Sequence, residues 1–292
     1  TGATGPFLLS NTIGRNKHLI PGEVIKEIID GFEDCIDTMA EFGVKIKFTG
    51  GETADVGDLV KTLIVDSTVA CRPKRSEILE IDIQDDDVIV GFASFGQATY
   101  ETSYNAGTGS NGLTSGRHDL LAHNYHQKYP ESYDLNTDEE YIYSGKFNLT
   151  DKLEGTPLDI GKALLSPTRT YAPILNKIVE NNELKNAIHG IIHCTGGAQT
   201  KVMKFLDKPL HIIKDDLIDM PPLFKTIHET TGTPLKEMYE VFNMGHRLEI
   251  YCDKKIAQEL ITISNSFNIE AKIIGRCEQH PTKKLTIAGI EY

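Results

Sequence analysis

No stretch of the 292 residues approaches the roughly 18 consecutive apolar residues that a membrane-spanning helix needs. The longest apolar runs are short, such as Ile188–His193 with its polar ends, so no membrane partner is expected. The opening Thr1-Gly2-Ala3-Thr4-Gly5-Pro6 has neither a basic n-region nor an apolar h-region and does not read as a signal peptide. Positive charge is in deficit, with 30 Lys and Arg against 42 Asp and Glu and a net charge of −12. That balance argues against nucleic acid as a partner, because displacing counterions from a polyanion needs a basic face. A phosphate ligand must then be met by backbone amides, a few local cations or a metal ion. Cysteine is sparse and scattered: Cys35, Cys71, Cys194, Cys252 and Cys277 form no CxxC pair. This argues against a zinc ribbon and for a reduced compartment. Walker A and GxGxxG motifs are also missing. What is present, 39% hydrophobic and 25% charged residues, is the composition of a globular protein. The length suits one large domain or two ordinary ones.

Helical and strand-like patterns alternate along the chain. Residues 21–42 carry apolar side chains at a 3.6-residue period, with proline at the start and Gly43 as the stop. Residues 44–48 and 59–71 read as strands, and 49–55 between them as a turn. A charged stretch, 73–87, leads into the apolar strand 88–93 and marks the expected boundary, giving domains 1–80 and 81–292. Beyond it, strands are expected at 187–194, 210–214, 247–252, 269–276 and 283–290. Helices are expected at 111–125, 167–181, 196–206, 221–230, 234–242 and 253–267. Residues 123–155, polar and tyrosine-rich, read as an insertion. The fold class is therefore α/β or α+β, two domains each with a mixed sheet and covering helices.

Three small-residue corners stand at strand ends. Gly50-Gly51-Glu52-Thr53 joins a bend to a carboxylate able to hold a hard cation, although a tight turn with a solvated Glu52 is an even alternative. Gly96, and later Gly107-Thr108-Gly109-Ser110-Asn111-Gly112, lie between a strand and a helix, where exposed N–H groups suit phosphate. Ser110 or Asn111 as a plain helix N-cap is the ordinary alternative. His193-Cys194-Thr195-Gly196-Gly197 repeats the theme, with His193 as a proton-transfer candidate and Thr195, Gly196 and Gly197 as an anion cradle. A strand-end histidine is more often structural, and Cys194 reads as a small buried hydrophobe. Arg169 at a predicted helix start suggests an anion contact, since the dipole there disfavours a cation. Asn243-Met244-Gly245 reads as a turn, and Asp85-Asp86-Asp87 as a solvated linker.

Taken in order, five motifs resemble one family. They are Gly50-Gly51-Glu52-Thr53-Ala54; Ser94-x-Gly96 with Ser110-Asn111-Gly112; Ser166-Pro167-Thr168-Arg169-Thr170-Tyr171; Ile188 through Gly197; and Glu237-Met238-Tyr239 with Asn243-Met244-Gly245. The chain is similar over almost its whole length to phosphoribosylformylglycinamidine cyclo-ligase, the aminoimidazole ribonucleotide synthase family. That superfamily also holds formylglycinamidine ribonucleotide synthetase, selenophosphate synthetase, thiamine-phosphate kinase and a hydrogenase maturation protein. The resemblance implies a homodimer whose N-terminal domains pair strands into a barrel. It also implies ATP- and Mg²⁺-dependent closure of the imidazole ring of formylglycinamidine ribonucleotide. By the same resemblance Gly50, Gly51, Glu52 and Thr53 belong to the nucleotide region, with Glu52 on the metal. Gly96, Ser110, Asn111, Gly112, Thr195, Gly196 and Gly197, with Arg169 and Asn243, line the substrate cleft, and His193 is the catalytic candidate.

Departures from the family pattern set further expectations. A glycine-rich segment, an Asp-Gly-x-Gly-Thr-Lys motif and an Asn-Asp pair that precede the matching region in the family have no counterpart here. The chain is thus expected to be a C-terminal piece with little cyclo-ligase activity of its own. The third glycine of Thr-Gly-Gly-Gly is Ala198, and the substrate loop is stretched by residues 97–108. The rival readings are another ATP-using enzyme of the superfamily and an inactive dimerising fragment.

Overall fold

The computed structural model describes residues 1–292, which divide into two compact units. The N-terminal unit comprises Gly2–Ile78 and His126–Asp138. Its sheet holds β1 (Phe7–Arg15), β2 (Ile46–Asp55) and β3 (Leu63–Ala70) in the order β2-β1-β3. β1 runs parallel to β2 and antiparallel to β3, so the sheet is mixed as expected. Helix α1 (Gly22–Glu41) lies within the predicted span and turns Ile25 and Met39 inward, while Phe32 stacks on Phe48 of β2 at 6.4 Å. It stops at Gly43, whose positive φ of 80° lets Val44 donate back to the Met39 carbonyl.

Residues 49–55 are not the turn expected from sequence. They continue β2, and the glycines make a bulge inside it: Thr49 and Gly50 together face the single residue Ser10 of β1. Gly50 supplies the positive φ of 98°. Gly51 is required by packing, since a Cβ there would lie 2.1 Å from Asn11 Oδ1. β1 itself was not anticipated.

The C-terminal unit comprises Leu79–Tyr125 and Glu139–Tyr292, with Thr1. Its seven-stranded mixed sheet contains β4 (Val88–Ala93), β5 (Ile188–His193), β6 (Leu210–Lys214), β7 (His246–Cys252), β8 (Ala271–Gln279), β9 (Lys284–Ile287) and β10 (Ile290–Glu291). The order is β10-β9-β6-β8-β4-β7-β5, antiparallel except where β6 meets β9. β4 and β7 are buried along their whole length; β4 reads as an apolar run for that reason, whereas β7 buries His246, Arg247 and Glu249 among its apolar residues. The helices of this unit are α2 (Leu113–Leu120), α4 (Ile160–Leu164), α5 (Ala172–Glu180), α6 (Asn182–Asn186), α7 (Pro222–Thr231), α8 (Leu235–Val241) and α9 (Ala257–Ser266). A short α3 (Tyr125–Lys128) falls where the chain passes between units. α9 packs on β4 and β8, and α2 on α7. No helix is long and apolar enough to cross a membrane.

Three sequence readings are corrected in this unit. The helix expected at 167–181 begins only at Ala172, after the irregular segment Pro167–Thr170. The helix expected at 196–206 is a 3-10 turn, Ala198–Lys204. Asp87 is not part of a solvated run: it is 2% exposed and its carboxylate accepts from Gln84 N at 2.8 Å and pairs with His189 Nδ1 at 2.7 Å.

Candidate functional site

β4, β5 and β7 lie side by side, so the exits of β4 and β5 and the entry of β7 meet at one end of the sheet. The two later glycine corners meet there. A Cβ built on Gly196 would stand 3.7 Å from Asn111 Nδ2, so the segments 109–112 and 195–197 are neighbours although far apart in sequence. The backbone of each corner needs glycine. Gly109, Gly112 and Gly197 all have positive φ, and a Cβ on Gly112 would press to 2.6 Å from the Phe242 ring. Gly112 is the residue at the N-cap of α2, and no side chain caps that helix. Ala198 adopts φ 41°, the conformation that explains why glycine suits this place.

Asn243 connects the corners from beneath. It is 4% exposed; its Oδ1 accepts from Ser94 Oγ (2.6 Å) and its Nδ2 donates to the Gly107 carbonyl (2.8 Å). Its own carbonyl accepts from Gln199 Nε2 of the 3-10 turn. Gln199 also donates to the His246 carbonyl and accepts from Lys214 Nζ through its backbone oxygen at 2.7 Å. Lys214 pairs with Glu249 at 2.5 Å, both wholly buried, and His246 Nε2 and Tyr251 OH complete the Glu249 carboxylate. Burial works against ionisation of Glu249, yet Lys214 and His246 hold its carboxyl at about 2. Breaking such a pair from one side typically costs about 3–5 kcal/mol, so the floor of the site is rigid.

Arg169 is 2% exposed, and all five of its N–H groups are engaged. It donates to both Glu101 oxygens and to the carbonyls of Ala93, Phe95 and Gly96. It therefore shapes the β4 exit. Gly96, with φ 90°, bridges Asn105 and lines a separate cleft of about 610 Å³ with Phe95, Tyr104, Asn268 and Glu270. Ser110 N donates to Thr168 Oγ1 at 3.1 Å. Thr195 Oγ1 donates to the His193 carbonyl and receives a bond from Lys201 Nζ.

His193 ends β5 with one edge in solvent and its ring edge-on to Tyr171 at 6.1 Å. Burial of the ring, then Arg247 and Lys201, hold its pKa down at about 4, so it is neutral at neutral pH. Cys194 is buried, and burial keeps its thiol protonated and inert. Tyr171, also buried, donates to the Ala93 carbonyl at 2.9 Å.

The sequence reading missed three cations here. Lys201 and Lys204 flank Gly197, Lys204 Nζ lying 3.7 Å from a Cβ built there, and Arg247 lies under Gly109. A charged Arg247 and Glu249 inside a strand otherwise reading as core was the available signal. Together, N–H-rich corners, three cations and a neutral imidazole make a place for a phosphate-bearing ligand next to a proton acceptor.

Glu52 stands in β2 of the other unit, exposed, opposite Thr12. It belongs to none of the ligand-spaced groups of His, Cys, Asp and Glu. One such group, Asp87, His189 and Asp253, lies at the end of β4, β5 and β7 opposite the corners.

Residues 145–288 match the AIR synthase related protein, C-terminal domain. Among named relatives, it is similar to phosphoribosylformylglycinamidine cyclo-ligases. It is 28% identical over 260 residues to that of Methanocaldococcus jannaschii, covering 89% of this chain and 64% of the relative. It is 30% identical over 267 residues to that of Methanococcus vannielii, covering 90% and 65%. The chain thus spans a little under two thirds of the length of these two relatives. The fold resembles that in a HypE-HypF complex, with a TM-score of 0.54 at 15% identity, over 98% of this chain and 76% of the other.

Proposed function

We propose that this chain carries the substrate-binding part of an ATP-dependent cyclo-ligase that closes the imidazole ring of formylglycinamidine ribonucleotide to give aminoimidazole ribonucleotide. The observation that carries the reading is the adjacency of the 109–112 and 195–197 corners, with Lys201, Lys204 and Arg247 around them. Asn111, Gly112, Thr195, Gly196 and Gly197 hold the phosphorylated substrate, and Ser110 sets the first corner. Arg169 and Asn243 position the loops that do so, because their polar atoms are committed to protein partners.

In the proposed reaction the formyl oxygen takes the γ-phosphoryl group of ATP, and ADP leaves. An amide oxygen is a poor leaving group until it is esterified in this way. The internal amidine nitrogen then forms a bond to the formyl carbon as the C–O bond breaks and phosphate departs. Neutral His193 accepts the proton that the nitrogen loses. Gly50, Gly51, Glu52 and Thr53 form part of the nucleotide region. Glu52 would hold Mg²⁺ through a hard carboxylate oxygen, and the ion would supply charge neutralisation at the nucleotide's phosphates. The working form is a cytoplasmic homodimer joined through the N-terminal unit.

Product analysis with formylglycinamidine ribonucleotide, ATP and Mg²⁺ tests the reading, on this chain and on the protein extended to its relatives' length. Equal amounts of ADP and aminoimidazole ribonucleotide are expected from the extended form, with a raised Mg²⁺ requirement in Glu52→Gln. ATP consumption that needs a different substrate would move the chain to another ATP-using member of the superfamily. No ATP-dependent turnover of the extended form would leave only a dimerising module.

A further inference from the structure

Arg247 is buried to 1% exposure, and none of the groups its guanidinium touches is a carboxylate. Nη2 donates to the carbonyls of Gly107 (2.9 Å) and Thr108 (2.6 Å), and Nη1 to Thr168 Oγ1 (3.3 Å). Nε is buried and has no partner. The charges that act on it are Tyr171, Cys194 and Arg169, of which the first two are neutral at neutral pH. A buried guanidinium without a counter-ion is a costly arrangement in a folded protein unless an anion completes it.

Its placement is specific on both sides. In β7, Arg247 is the extra residue of a bulge, since Phe92 pairs with Leu248 and Ala93 with His246. The side chain lies against Gly109, where a Cβ would stand 2.1 Å from Nη1, so a side chain at 109 would push the guanidinium aside. Thr168, held by Nη1, also accepts from Ser110 N. The main chain serves the other corner: the Arg247 carbonyl accepts from Cys194 N at 2.6 Å. One residue thus joins the first corner through its side chain and the second through its backbone.

We infer that Arg247 is a positioning residue that sets the two corners at phosphate-binding distance and brings beneath them the positive charge that a ligand's phosphate neutralises. The inference rests on the reading of these corners as the phosphate site. The same charge, with Lys201 and beside Tyr171, faces the His193 ring, so removing it has a second, local readout.

The test is calorimetric titration of the 292-residue chain with inorganic phosphate, alongside an NMR titration of the His193 imidazole, for wild type, Arg247→Met and Arg247→Lys. Arg247→Met is expected to weaken phosphate binding by about tenfold or more, the usual scale for a lost charge-assisted contact, and to raise the His193 pKa toward 6.5. Arg247→Lys keeps the charge but not the fork, so His193 stays low while phosphate binding weakens. Should Arg247→Met not fold, the lysine variant decides alone. Wild-type affinity in Arg247→Lys, or wild-type affinity and an unmoved His193 in Arg247→Met, overturns the inference and leaves the cyclo-ligase reading standing. A wild-type chain that does not bind phosphate overturns both.

Discussion

A neutral imidazole facing two cations, Arg247 and Lys201, is the chemically useful feature of this site, and its cause is physical. His193 is crowded by protein on one side and faces Arg247 and Lys201, so a second proton is disfavoured until pH falls to about 4. The consequence for stability has a definite sign. An unfolded chain takes up the histidine proton near pH 6.5, whereas the folded chain resists it until about 4. Stability from this group is complete above 6.5, is lost as pH falls through that window, and is gone below it. In His193→Gln the urea midpoint should therefore fall less between pH 7 and pH 5 than in wild type; equal losses would show that His193 does not carry the effect. Residues of this kind are half legible in a sequence. The glycines and His193 stand out because small residues at a strand end expose backbone N–H groups beside a group that can move a proton. Lys201 and Lys204 do not, because nothing local separates them from ordinary surface lysines, and buried Arg247 shows only as a charge inside a strand whose neighbours read as core.

Elements were legible where one period dominated. The amphipathic α1 and the fully apolar β4 fall within a few residues of their predicted spans. β2 was cut short because Gly50-Gly51 reads as a turn, when the glycines instead allow a bulge and a close approach to Asn11. β1 was missed since it alternates weakly, with Ser10, Asn11 and Thr12 among its apolar residues. The most informative element is β3. Seven of its eight residues are exposed, including Ile64 at 54% and Val69 at 59%, and Leu8 of neighbouring β1 is 47% exposed. Apolar strand surface of this kind ordinarily has a partner, and the proposed homodimer supplies a second copy of the same sheet. Sedimentation at micromolar concentration should show a dimer for wild type and a monomer for Val69→Asp. A monomeric wild type would contradict pairing through this sheet.

For the whole molecule, the alternation of strand and helix signals was enough to give a mixed sheet in each part. The charged stretch before β4 marked the change of composition between them. The polar segment read as one insertion is divided in the structure: His126–Asp138 belongs to the N-terminal unit, where Lys61 Nζ donates to the Tyr133 carbonyl at 2.7 Å, and the rest to the C-terminal unit. Such long-range assignments depend on contacts that no local pattern records. The site has the same character, being built where three adjacent strands end rather than within any one motif. Its central property is most directly measured by backbone amide NMR of the chain titrated with inorganic phosphate. Saturable shifts at Gly109, Asn111 and Gly112 that share one dissociation constant with those at Thr195, Gly196 and Gly197 are the expected result. Shifts confined to one of the two segments, or to neither, would contradict a single phosphate site formed by both.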